Sequence, residues 1–252
     1  MILFAKGFLK AFNRTLGILF LFIALGLYFD SRFFIDIYDQ GQWIANGLMV
    51  AVYILLLYRG TNRSRELMIY ATLIGIAGEY LFSLGFEMYT YRLGNVPWYV
   101  PPGHAIIYIS AVYFCREAFI KFNRSKIEQI FKLGIFFYAF FFLVVYFDVF
   151  GFVLTLISLW ILKNKPRERL FYYSMYIVVA FLEIVGTRYA CWFWPDEAFG
   201  VFSFLPSANP PSGISFFYFG LDLGSLWLYK QRHKIAWGRM KSIRTMKETS
   251  IV

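Results

Sequence analysis

Long apolar runs, broken only by short polar segments, recur along the whole chain, and this spacing constrains the fold more than any other feature. A helix needs about 20 residues at ~1.5 Å rise to cross a hydrocarbon core of ~30 Å. Runs near that length lie at 15–29, 43–58, 67–86, 103–120, 131–148, 151–163, 170–194 and 213–229. Helices are the default spanning element, because each satisfies its own backbone hydrogen bonds and leaves no open edge in lipid. The pattern therefore predicts an all-α integral membrane bundle of about eight transmembrane helices. A content of 60% hydrophobic and 23% aromatic residues in 252 excludes solvated globular domains of ordinary size.

Charge sorts the connections into two sets. One set holds Lys6, Lys10 and Arg14, then "RGTNRSRE", "KFNRSKIEQIFK", "KNKPRER" and the tail "KQRHKIAWGRMKSIRTMK"; the other holds "DSRFFIDIYDQGQ", "EMYTYRLGNVPWYVPP", "DVFG" and "PDEAFGVFSFLPSANPPS". The positive-inside rule then places both termini in the cytoplasm of a multi-pass protein. Residues before 15 form either an interfacial amphipathic turn or an extension of the first span. The net charge of +10 resides in these connections, with no soluble domain to dock nucleic acid, so membrane lipids are the expected partners of the basic tail. His233, in that tail, is expected to be solvated. The Ser-Ile-Val ending has the form of a peptide-recognition terminus. Cys115 and Cys191 fall near opposite faces and are expected to stay unpaired. Nothing in the spacing implies a metal, a cofactor or a particular oligomeric state.

Spans one to four resemble spans five to eight at matched positions. The third contains "GEYLFSLGFEMYTYRLG" and the seventh "LEIVGTRYACWFWPD". Glu79 and Ser83 correspond to Glu183 and Thr187, and each pair precedes an aromatic-x-aromatic motif, Tyr89 with Tyr91 and Trp192 with Trp194. Each is followed by a loop containing a diproline, "YVPPGHAIIY" or "NPPSGISFFY", and seven of the chain's eight prolines lie in or beside these loops. The reading is a parallel duplication of a four-helix unit. It divides the chain into 1–129, 130–229 and a basic tail, 230–252.

Counting ~1.5 Å per residue places Glu79 and Glu183 about 18 to 20 Å deep, with Asp222 near the same level. A charge at mid-membrane costs at least ~2.5 to 3.5 kcal/mol, so each acid should face the interior and be paired or protonated. Ser83 and Thr187, one helical turn on, are positioned to hydrogen-bond the acids. Asp222 lies in "GLDLG", whose glycines permit close helix approach. His104 is a proton relay or a hydrogen-bonded helix start. Arg188 contacts substrate, reaches the headgroups, or pairs with Asp196 or Glu197. Asn209 and the aromatics belong to loops suited to fold back as a cap.

The order of a membrane glutamate, "YTYRLGNVPWYVP", "WFW" and "LPSANPP" resembles the membrane carotenoid-biosynthesis proteins of the carotenoid hydratase and small lycopene cyclase type. That resemblance implies protonation of a carbon-carbon double bond of an apolar isoprenoid in a dry pocket. Glu79, Glu183, Asp222 and His104 would serve as acid, base or charge stabiliser. Ser83, Thr187, Tyr89, Tyr91, Trp192, Trp194, Arg188 and Asn209 would line the substrate. Midplane carboxylates fit a proton-coupled transporter equally well, and a non-catalytic scaffold would use them as packing locks.

Overall fold

The computed structural model describes residues 2–239 and Ser242, so the Ser-Ile-Val ending and most of the distal tail lie outside the described residues. The chain is mostly helical. Helix α1 (Ile2–Phe12) passes through a π turn (Asn13–Gly17) into α2 (Ile18–Phe29), so the residues before 15 extend the first helix. A short α3 (Arg32–Ile35) leads to α4 (Gly41–Arg59) and α5 (Asn62–Glu79), which runs on as a π segment, Tyr80–Gly85. The remaining helices are α6 (Val100–Arg116), α7 (Ala118–Phe122), α8 (Arg124–Tyr146), α9 (Val149–Lys163), α10 (Arg169–Arg188) and α11 (Ser215–Arg232).

Among the described residues, five segments are long and apolar enough to cross a membrane: Leu3–Phe29, Gly41–Arg59, Asn62–Gly85, Arg124–Tyr146 and Arg169–Arg188. Of the others, α6 has 17 residues and α9 has 15, while α11 carries Asp222, Lys230 and Arg232 within 18. Two expected boundaries are corrected. The run at 103–120 breaks at Glu117, whose extended ψ of 135° separates α6 from α7. The run at 170–194 stops helically at Arg188, because Ala190 adopts a left-handed φ of 57° and turns the chain back.

Local chemistry explains several helix ends. Thr61 and Asp148 accept the backbone N–H of Ser64 and Gly151, supplying caps to α5 and α9. Pro101 and Pro102 occupy the first turn of α6, where a missing N–H costs nothing. Among helix pairs, α5 packs most extensively on α6 and also on α11, whereas α10 packs on α2, α6, α8 and α11. The segments 1–129 and 130–229 therefore share one interior. The described start of the tail packs on α5: His233 lies 2.7 Å from Glu66 Oε2, and Arg63 sits over the Tyr229 and Trp237 rings, so His233 is paired where solvation was expected.

One end of the bundle carries a cap. Strand β1 (Thr90–Tyr91) pairs antiparallel with β2 (Trp192–Phe193), and β3 (Glu197–Ala198) pairs with β4 (Phe202–Pro206). Two buried aspartates fasten it. Asp30, at the end of α2, accepts from Arg92, Gln42 and the Tyr99 hydroxyl. Asp148, before α9, accepts the backbone N–H of Gly151, Ala208 and Ser212. Both are fully buried, and each binds a proline-bearing loop to the end of a helix.

Candidate functional site

Beneath the cap lies a cavity of ≈ 380 Å³ enclosed by α2, α4, α5, α6, α10 and α11. Its surface is overwhelmingly apolar and aromatic, and both Glu79 and Glu183 face it. The two acids are buried, at 4% and 3% exposure, so hydrogen bonds must replace the water that each has lost.

Three donors serve Glu79. The hydroxyls of Tyr89 and Tyr91 both reach Oε2 at 2.6 Å, and His104 Nε2 lies 2.7 Å from Oε1. Either partner of the last contact can hold the shared proton. His104 Nδ1 is buried without a protein partner. Burial foremost, and the Glu79 carboxylate next, push both phenols well above their usual range, so they remain donors. The approach of α6 depends on Gly75, one turn before Glu79, where a Cβ would stand 3.2 Å from the His104 ring and 3.4 Å from Pro101 O.

Glu183 also has three donors, of another kind. Trp192 and Trp194 direct their indole N–H groups to Oε2 at 2.8 and 3.0 Å, and the Tyr218 hydroxyl reaches Oε1 at 3.0 Å. Gly186, one turn beyond Glu183, is required here: any Cβ would overlap the Trp192 ring. The left-handed turn at Ala190 then aims β2 back over the cavity. Asn209 accepts the Trp194 backbone N–H at 3.1 Å and so holds the second indole in place. The two aromatic motifs also touch directly, with Tyr89 and Trp194 ring centroids 4.6 Å apart. The His104 and Tyr218 rings, 5.0 Å apart, join the two carboxylate clusters.

Other expected site residues lie elsewhere. The Ser83 hydroxyl donates to Tyr89 O, and that of Thr187 to Glu183 O, so neither bonds a carboxylate. Helical spacing puts them in reach of the acids, but a nearer backbone carbonyl takes each hydroxyl. Arg188 is exposed and, among the described residues, pairs with neither Asp196 nor Glu197. Asp222 is 2% exposed, but it does not line the cavity and neither carboxylate oxygen has a partner. Equal depth did not make it a member of the centre. The two cysteines are free.

Tyr218 was missed by sequence reasoning although it lies one turn from Asp222 on α11; an i, i+4 search from the acid finds it. Asp30 and Asp148 were not singled out, although Asp30 directly follows the run at 15–29 and Asp148 closes the run at 131–148. Among the described residues, no group of three His, Cys, Asp or Glu side chains is arranged to hold a metal. No protein-family model matches the chain, and neither a curated protein nor a solved structure matches it.

Proposed function

We propose that the chain is a multi-pass membrane enzyme that performs carboxyl-mediated acid/base chemistry on an apolar lipid or isoprenoid. The observation that carries this reading is the pair of triply hydrogen-bonded glutamates facing one aromatic-walled, apolar cavity. Cavities of this size and polarity, with few convergent polar groups, suit small apolar ligands.

In the proposed reaction, the proton shared by Glu79 and His104 passes to one carbon of a double bond. The π electrons form the new C–H bond, and the other carbon becomes a cation. Aromatic faces and the Glu183 carboxylate stabilise that charge. The indole N–H groups hold Glu183 ready without offering an exchangeable proton at ordinary pH. Return of a neighbouring proton to the Glu79–His104 pair moves the double bond; attack by water, with its proton passing to the same pair, gives an alcohol. The resemblance to the carotenoid hydratases and small lycopene cyclases agrees with both outcomes.

We further propose eight spans, cytoplasmic termini and a parallel duplication. Several features support the duplication. Thr90 and Phe193, the middle residues of the two aromatic motifs, are partners in the β1–β2 pair, as a two-fold axis between the copies requires. Glu87 and Ala190, each two residues before the first aromatic, both adopt left-handed φ, at 50° and 57°. From glutamate to first aromatic the spacing is 10 residues in one copy and 9 in the other. The π segment after Glu79, which turns with one more residue per hydrogen bond than an α-helix, accommodates the difference.

The test compares lipid and isoprenoid mass spectra of cells that lack the protein with those of cells expressing wild type, Glu79→Gln or Glu183→Gln. The expected result is that Glu79→Gln accumulates the same precursor as the deletion. Wild-type product levels from both variants would overturn the enzymatic reading.

A further inference from the structure

Among the described residues, the most exposed part of the cavity lining lies at one seam. Of the residues that line it, Ala77, Leu81 and Gly220 are exposed, and all three flank the crossing of α5 with α11. The helices touch on either side of this place. Toward the basic-loop end, Ile74 packs onto Gly224, where a Cβ would lie 2.9 Å from Ile74 Cδ1. Toward the cap, the Phe82 and Phe217 rings meet at 5.4 Å.

Gly78 and Gly220 occupy the interval, one turn from each contact. A Cβ on Gly220 would meet nothing within 4 Å, and one on Gly78 would meet only the Phe82 ring, at 3.9 Å. This separates them from Gly75, Gly186 and Gly224, where a neighbour fills the space a Cβ would need. A glycine inside a helix costs about 1 kcal/mol relative to alanine. No packing demand compensates that cost at 78 and 220, and both glycines line the cavity.

The outer surface of this interval is hydrocarbon-like: Leu81, just past α5, and Leu223 and Trp227 on α11 are exposed within two turns of the glycines, and Leu73 and Tyr80 are exposed farther round the same side of the bundle. Its inner side is the cavity lining, which includes both glutamates. We propose that the interval between Gly78 and Gly220 is a lateral window, through which the apolar end of a bilayer-dissolved chain enters the glutamate cavity. A cavity of ≈ 380 Å³ holds about a dozen methylene-sized groups at ~30 Å³ each. A longer chain therefore inserts its end while the remainder stays in the bilayer. The inference rests on the reading of the cavity as an apolar-ligand site, but it requires no catalysis.

The test uses the full-length protein in phosphatidylcholine liposomes doped with a phosphatidylcholine that carries a diazirine near the end of one acyl chain. After photolysis, labelled peptides are mapped by mass spectrometry. Wild type should carry label at 88–91 and 192–194, in the cavity, as well as at Leu73 and Tyr80 on the outer face. Gly78→Leu with Gly220→Leu should cut the cavity label about tenfold, ~1.4 kcal/mol of occupancy, and leave the outer label unchanged. Gly220→Leu alone, where the new side chain has space, should give a partial loss. Gly47→Leu, at an equally open glycine on α4 outside the cavity lining, should change nothing. Cavity label that survives the double variant, that falls equally with Gly47→Leu, or that is absent from wild type overturns the window. Window-dependent label without glutamate-dependent products would sink the enzymatic reading alone, and the converse would sink the window alone.

Discussion

Glu79 and Glu183 have the same burial, the same number of donors and the same cavity, but their donors differ in kind. Two phenols and an imidazole surround Glu79; two indoles and one phenol surround Glu183. An imidazole exchanges protons near neutral pH, whereas an indole N–H only donates a hydrogen bond. In the proposed reaction the first frame holds the carboxyl that passes a proton and the second the carboxyl that stabilises charge. The difference lies partly in the cap, Tyr89 and Tyr91 against Trp192 and Trp194, and partly in the helices, His104 on α6 against Tyr218 on α11.

The largest expected effect tests that division directly. Glu79→Gln should lower turnover by about 10²–10⁴, the range for loss of a general acid. Glu183→Gln should cost about 10²-fold, since it removes a charge stabiliser but keeps an oxygen for the two indoles. Single-turnover product formation in D₂O liposomes measures both, with deuterium at the protonated carbon marking the proton's source. A larger loss for Glu183→Gln would reverse the roles.

The fastenings of the cap permit a second contrast. Asp30 holds its loop through the charged Arg92 together with Tyr99 and Gln42, while Asp148 holds the other through neutral backbone N–H groups. Arg92→Ala leaves Asp30 buried beside neutral donors only, and about 3–5 kcal/mol of stability should be lost, as for a broken buried pair. Asp148→Asn keeps one acceptor oxygen and should cost about 1–3 kcal/mol. Denaturation midpoints in matched detergent decide the order; equal losses would mean that the Arg92 charge contributes nothing beyond a hydrogen bond.

Much of this arrangement was visible in the amino-acid order, because lipid forces helices to declare themselves as apolar runs. The pairing of each glutamate with a following aromatic motif was visible in the repeated spacing. What joins them was not. Tyr89 and Trp192 reach back to the acids only because Glu87 and Ala190 adopt left-handed conformations, which their residue types disfavour. Depth counting placed Asp222 level with the glutamates, but depth is one coordinate, and the azimuth about α11 directs it away from the cavity. Ser83 and Thr187 had the right spacing, but the backbone carbonyls of Tyr89 and Glu183 claimed their hydroxyls.

A smaller effect should separate the two donor shells by pH. Tyr89 and Tyr91 are held above the usual phenol value, so past pH ~10 the unfolded chain releases protons that the folded one keeps. Their contribution is complete below that pH and declines as pH rises, by up to about 1.4 kcal/mol per unit for each phenol. Tyr91→Phe should flatten the alkaline decline in melting temperature, whereas Trp194→Phe should lower stability without altering its slope. A parallel slope in the Tyr91 variant would place the titration elsewhere.

Asp222→Asn should have the smallest effect, and it tests whether the polar centre has two members or three. Asp222 sits one turn from Tyr218, yet both of its oxygens lack partners and the cavity lining excludes it. A side chain that makes no hydrogen bond loses none on substitution, so turnover should stay within about threefold of wild type, under ~0.7 kcal/mol in the barrier. A fall comparable to that of Glu79→Gln would require a proton path running down α11 from Tyr218. The centre would then extend beyond the cavity, and the contrast between its two clusters would have to be redrawn around Asp222 as the group that reloads them.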